Sequence, residues 1–220
     1  MKIGVLGGSF NPPHCGHLEL ARCALRALAL DQVLLVPLCL PPHKDPSPED
    51  PGGAHRLAMC EALAGEAGAG VRASAIEIER GGRSYTVQTL EELQDQLPGA
   101  ELTLILGADM AATLPSWREP QRIIAIARIA VAPRQDSQAE LQRALAQLGE
   151  AARITFLPMR PLPISSTQVR ARLAQGGDVS ALVGPAVAAY IAAHHIYAPA
   201  RRAGAEAPSS RPERDPVSCK

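Results

Sequence analysis

The chain opens on KIGVL (residues 2–6), a short apolar run that stops at Gly7-Gly8 and predicts a parallel strand buried on both faces. From Gly16 the apolar positions Leu18, Ala21, Leu25 and Leu28 recur at helical spacing, with Glu19, Arg22 and Arg26 between them. QVLLVPL (32–38) predicts a second buried strand, and CLPPHKDPSPEDPGG (39–53) is too dense in proline for regular structure. HRLAMCEALAGEA (55–67) predicts a helix and VRASAIEIE (71–79) a strand. SYTVQTLEELQDQL (84–97) opens on an N-terminal cap signal and ends before Pro98-Gly99, the punctuation of a helix. ELTLILGAD (101–109) repeats the opening pattern of an apolar strand running into glycine. RIAVAP (128–133) predicts another strand, SQAELQRALAQLG (137–149) a helix and RITFLPM (153–159) a last strand. PISSTQVRARLAQGG (163–177) and AVAAYIAAHHIY (186–197) are helical by period.

Strands alternating with helices from the first residue predict an α/β fold, a doubly wound parallel sheet with a small helical C-terminal part. The expected organisation is one domain over residues 1–200, followed by a Pro/Ser/Arg-rich tail (201–220) that reads as disordered. Ligands of such sheets bind beyond the carboxyl ends of the strands, where the strand order switches. The unusual motifs sit at those ends: Gly7-Gly8 after the first strand, PPHK after the second, GAD after the strand at 102–106.

Composition narrows the function. With 46% hydrophobic and 20% charged residues and no net charge, the chain reads as soluble, with no nucleic-acid or membrane partner. Five cysteines, odd in number and without a C-x-x-C pair, point to free thiols in a reducing cytoplasm. Of 22 basic residues only Lys2, Lys44 and Lys220 are lysines, so Lys44 stands out as the one internal lysine.

The candidate chemistry begins in GGSFNPPHCGH (7–17). Gly7 and Gly8 let the backbone approach a ligand, but G-G-S-F-N-P is not the G-x-G-x-x-G of a dinucleotide fold. His14 and His17 bracket Gly16 at the start of the first helix, where the dipole favours an anion. Two imidazoles aimed there can donate to phosphate oxygens as charge builds, each worth ~3 kcal/mol in a transition state. The competing structural reading makes His17 a helix cap and His14 a solvated loop residue, with zinc through Cys15 a third choice. PISSTQVR (163–170) offers a second anion site through Ser165, Ser166 and Thr167 at a helix start with Arg170 one turn on; an ordinary capped helix with a surface arginine reads equally well.

GGSFNPPHCGH together with ISSTQVR resembles the H-x-G-H nucleotidyltransferase superfamily, with its Rossmann-like fold. PPHK, SYTVQTL, LGADMAATLPSW and VAAYIAAHHIY, in this order, resemble the bacterial nicotinate-nucleotide adenylyltransferases, from Met1 to about Tyr197. The resemblance implies AMP transfer from ATP to nicotinate mononucleotide by direct in-line displacement, giving deamido-NAD and pyrophosphate in NAD biosynthesis. Catalysis would rest on His14, His17, Lys44 and Arg170. ATP would meet Gly7, Gly8, Ser9, Phe10, His14, His17, Gly107, Asp109, Ile164, Ser165, Ser166, Thr167 and Arg170. The acceptor would meet Ser9, Phe10, Asn11, Lys44, Tyr85, Thr86, Trp117 and Arg134, with Trp117 stacking on the pyridine ring. Mg²⁺ would be held through the ATP phosphates, with no metal site of the protein's own. ATP and nicotinate mononucleotide are the expected partners, and a homo-oligomer is left open. Gln88 stands where the family often has Asp, and Gln135 follows Arg134 where Pro-Gly is usual. The alternatives are an adenylyltransferase preferring nicotinamide mononucleotide and a catalytically silent nucleotide-binding module.

Overall fold

The computed structural model describes residues 1–42, 45, 47–132, 138–149, 151–160 and 162–197. Strand β1 (Lys2–Gly8) leads into helix α1 (Cys15–Ala27), β2 (Gln32–Pro37), α2 (Gly53–Ala67) and β3 (Val71–Ala73). Next come α3 (Ile76–Arg80), α4 (Thr86–Gln96), β4 (Glu101–Gly107), α5 (Ala108–Thr113), a 3-10 turn (Leu114–Ser116), α6 (Pro120–Ile126) and β5 (Ala127–Ala132). The described chain continues through α7 (Gln138–Ala146), β6 (Ile154–Phe156), α8 (Ser166–Ala174), α9 (Ser180–Val183) and α10 (Pro185–Ala193).

The described strands form one six-stranded sheet, all parallel, in the order β3-β2-β1-β4-β5-β6. The order reverses between β1 and β4, so the loops leaving these two strands diverge to opposite faces and open a crevice. The continuous apolar runs follow from helices covering both faces. Along β2, Val33 and Leu35 pack with α1 and α2 on one face; Leu34 and Val36 pack with α4 and α6 on the other. Gly4 in β1 admits the α1 side of this packing: a Cβ there would lie 2.7 Å from Ile105 Cδ1 and 2.8 Å from Leu30 Cδ1.

Several boundaries differ from the pattern reading. VRASAIEIE is a strand only over Val71–Ala73, because β3 pairs with β2 alone; from Ile76 the chain turns into α3, ended by Gly81 at φ +73°. The cap signal at Ser84 serves another purpose. Tyr85 is the N-cap of α4, and Ser84 Oγ accepts the Cys39 N–H at 2.9 Å. The helices α5, α6 and α9 and the 3-10 turn carry no clear periodicity at four to seven residues or fewer. The tail expected after Arg201 lies outside the described residues. Among the described residues no helix is long and apolar enough to cross a membrane.

Candidate active site

After β1 the chain passes Ser9 and reaches Phe10, which holds φ +48° and is 1% exposed. His14, the N-cap of α1, is buried rather than solvated, and its ring stacks on that of His17 at 3.7 Å between centroids. Phe10 meets His17 edge-on from another side, with centroids 4.9 Å apart. The His14 backbone N–H donates to His17 Nδ1 at 3.2 Å. A backbone N–H can only donate, so Nδ1 is the unprotonated nitrogen and neutral His17 carries its proton on Nε2. Burial lowers the His14 pKa to about 4, and burial plus the His14 charge holds His17 well below its ordinary value. Both rings are therefore neutral near pH 7, each offering one N–H.

Of the other predicted ATP residues, Ser166 and Arg170 of α8 reach the turn that precedes this pair. Ser165 is the N-cap of α8: its Oγ accepts the Gln168 N–H, and Gln168 Oε1 accepts the Ser165 N–H. Ser166 Oγ donates to the Pro12 carbonyl at 2.8 Å, and Arg170 Nη1 donates to the Asn11 carbonyl at 2.7 Å. Arg170 Nε also meets Glu49 Oε2 at 2.6 Å. Asn11 is buried, with Tyr197 donating to its side-chain oxygen. Ile164 is half-buried against the α1-side core and Thr167 is exposed. Gly107 caps α5 and Asp109 sits in its first turn, on the opposite side of the switch point.

A cavity of about 420 Å³ opens beside the β1 turn. Gly7, Gly8, Tyr85, Thr86 and Trp117 line it, so the structure brings three of the predicted acceptor residues together beside the two glycines that end β1. Trp117 is held by its Nε1–H donating to Thr113 Oγ1 at 2.9 Å. The first N–H groups of α4 have no side-chain cap, and Thr86 among them faces the cavity. His14, His17 and Arg170 do not line this cavity; they stand across the β1 turn from it. Lys44 and Arg134 lie outside the described residues. Among the described residues no group of three His, Cys, Asp or Glu side chains is placed to hold a metal ion.

A family model described as cytidylyltransferase-like matches residues 5–172. A "probable nicotinate-nucleotide adenylyltransferase" of Roseiflexus sp. (strain RS-1) is 45% identical over 198 residues, covering 89% of this chain and 97% of the relative. One so described from Bordetella avium (strain 197N) is 42% identical over 202 residues, covering 90% and 99%. The chain belongs to the nicotinate-nucleotide adenylyltransferase family. Its fold is shared with a solved structure of Plasmodium falciparum nicotinic acid mononucleotide adenylyltransferase complexed with NaAD, at TM-score 0.70 and 17% identity over 89% of this chain and 97% of that one.

In this adenylyltransferase family member the sequence pattern does not single out Arg56, Glu77, Thr113 or Arg118, and marks Ser84 only as a cap signal. Glu77, Ser84, Thr113 and Arg118 line the cavity; Glu77 accepts from Thr89 Oγ1 and lies 4.0 Å from Arg80, while Arg118 sits 4.7 Å over the Tyr85 ring. A signal existed for Arg56. It shares the helical stripe of Met59, Cys60 and Leu63, all buried, and a charge on an apolar stripe asks for buried partners.

Proposed function

We propose that the chain transfers AMP from ATP to nicotinate mononucleotide through the site described above. The observation that carries this reading is the stacked, neutral imidazole pair of His14 and His17 beside a cavity walled by Trp117 and the α4 N-terminus. The pyridine ring lies against Trp117, and the mononucleotide's phosphate oxygen attacks the α-phosphorus of ATP in line. A new anhydride forms, the α–β anhydride breaks, and its electron pair leaves with pyrophosphate. The developing charge falls on oxygens within reach of the two imidazole N–H groups, which need no proton to change hands. Arg170 and the backbone N–H groups at the start of α8 receive the β- and γ-phosphates. Arg170 can turn from exposed Glu49 to do so.

Mg²⁺ would be held through the ATP phosphates, where it would neutralise phosphate charge. The cavity favours an acid over an amide. The uncapped N-terminus of α4 carries a partial positive charge, the Arg118 guanidinium stands at the rim with exposed Glu119 as its partner at 3.5 Å, and the Glu77 carboxylate is already engaged by Thr89 and Arg80.

The test is purified protein given ATP with either nicotinate or nicotinamide mononucleotide, followed by pyrophosphate release and product mass. The expected outcome is one deamido-NAD per pyrophosphate, with kcat/KM about tenfold or more in favour of the acid. ATP binding without transfer to either acceptor overturns the reading in favour of a silent binding module.

A further inference from the structure

Arg56 takes no part in the chemistry above, yet its guanidinium is 1% exposed. A buried charge is tolerated only when it is paired and hydrogen-bonded, and each of the three Arg56 nitrogens has a partner. Nε donates to Asp50 Oδ1 at 3.0 Å, Nη1 to the carbonyls of Ser9 (3.1 Å) and Leu38 (2.6 Å), and Nη2 to the Cys39 carbonyl (3.1 Å). Ser9 leaves β1 on the way to His14; Leu38 leaves β2 and lines the cavity. Asp50 adjoins Glu49, the partner of Arg170. One planar cation in α2 therefore grips the exits of two adjacent strands and the acidic segment that reaches α8.

We propose that Arg56 is a positioning residue for the reaction, with Asp50 its counter-ion: it sets the separation between the turn that presents the imidazoles and the strand end that borders the acceptor cavity. It touches no substrate. The two reacting phosphates must meet across that separation, and a small error there lowers turnover more than binding. The kinetic half of this inference rests on the adenylyl-transfer reading.

Two variants test it, each assayed at a temperature where circular dichroism shows it folded. Arg56→Lys keeps the charge but has no fork to span four acceptors. Asp50→Ala removes the counter-ion from the rim of the buried group. Arg56→Lys is expected to lose roughly tenfold to a hundredfold in kcat, with both KM values moving less than about threefold. Asp50→Ala is expected to lose less. In both, amide hydrogen exchange should accelerate at residues 8–11 and 38–40 while the strand cores stay protected. Unchanged kcat in folded Arg56→Lys, or faster exchange spread evenly over the sheet, overturns the proposal, because a merely stabilising arginine gives that result. Should Arg56→Lys not fold, Asp50→Ala decides on the same readouts. If the unmodified protein transfers no AMP, the functional reading fails by itself, and the localised exchange still decides the clamp.

Discussion

Gly16 shows how one missing methyl group bears on the imidazole pair. A Cβ at this position would lie 3.0 Å from both Cε1 and Nδ1 of His14, so the ring stacked on His17 would have to give way by a few tenths of an ångström. Gly16→Ala should therefore tilt His14 off its partner, with kcat falling about tenfold or more while ATP still binds. Steady-state kinetics beside calorimetric ATP titration separate the two, and equal losses in both would refute it. His17→Ala, which removes a donor outright, is expected to cost about a hundredfold or more in kcat. At this scale the H-x-G-H spacing was legible because the chemistry needs those residue types close together in sequence. The burial of His14 was not legible. The His14 ring stacks on His17, and the turn before it is held by Ser166 and Arg170 at the carbonyls of Pro12 and Asn11, contacts no local pattern contains.

Among the elements, α8 carries both a cap and the anion site proposed above. Ser165 Oγ is committed to Gln168 N–H and Ser166 Oγ to Pro12, which on that proposal leaves phosphate recognition to backbone N–H groups and Arg170. Ser165→Ala should cost about 1 kcal/mol of stability, read from the urea midpoint, and raise the KM for ATP as the first turn frays. A lower midpoint with unchanged KM would detach the cap from the binding role. Long elements were read well from their periods, as α1, α2, α4 and the strands β1, β2 and β4 show. The short ones were not. Pro115 and Pro120 look like breakers in sequence, yet both open helical turns, where a missing N–H costs nothing. The alternation of IEIE imitates a strand, but the Glu77 side chain is buried in α3 by its bond from Thr89, a partner twelve residues on.

Across the molecule, the buried histidines make folding stability depend on pH. Both His14 and His17 have folded pKa values below the ordinary histidine value, so unfolding takes up protons. The contribution is complete above about pH 6.5 and is lost as the pH falls towards 4, where the folded His14 ring titrates too. His14 alone accounts for about 3 kcal/mol over that window. Urea midpoints taken from about pH 7 down to about pH 4.5 should fall, and a His14→Gln variant should fall less steeply; parallel slopes would dismiss the assignment. The doubly wound architecture was legible because a sheet covered on both faces writes unbroken apolar runs into its strands. The separation of the imidazole pair from the cavity walled by Trp117 was not, since it depends on where α4 and α8 dock.

The turn at Asn11 and Pro12 is held by Ser166, Arg170 and Tyr197, between 154 and 186 positions away. A ribosome releases this turn well before its three holders. During synthesis the turn therefore stays without these contacts until α8 and the residue Tyr197 beyond α10 have emerged. Loop closure over so many residues is slow relative to local helix formation. A chain stopped before α8 lacks all three holders of this turn, and with them Val169, Val183, Val187 and Ile191 of the core on the α1 side.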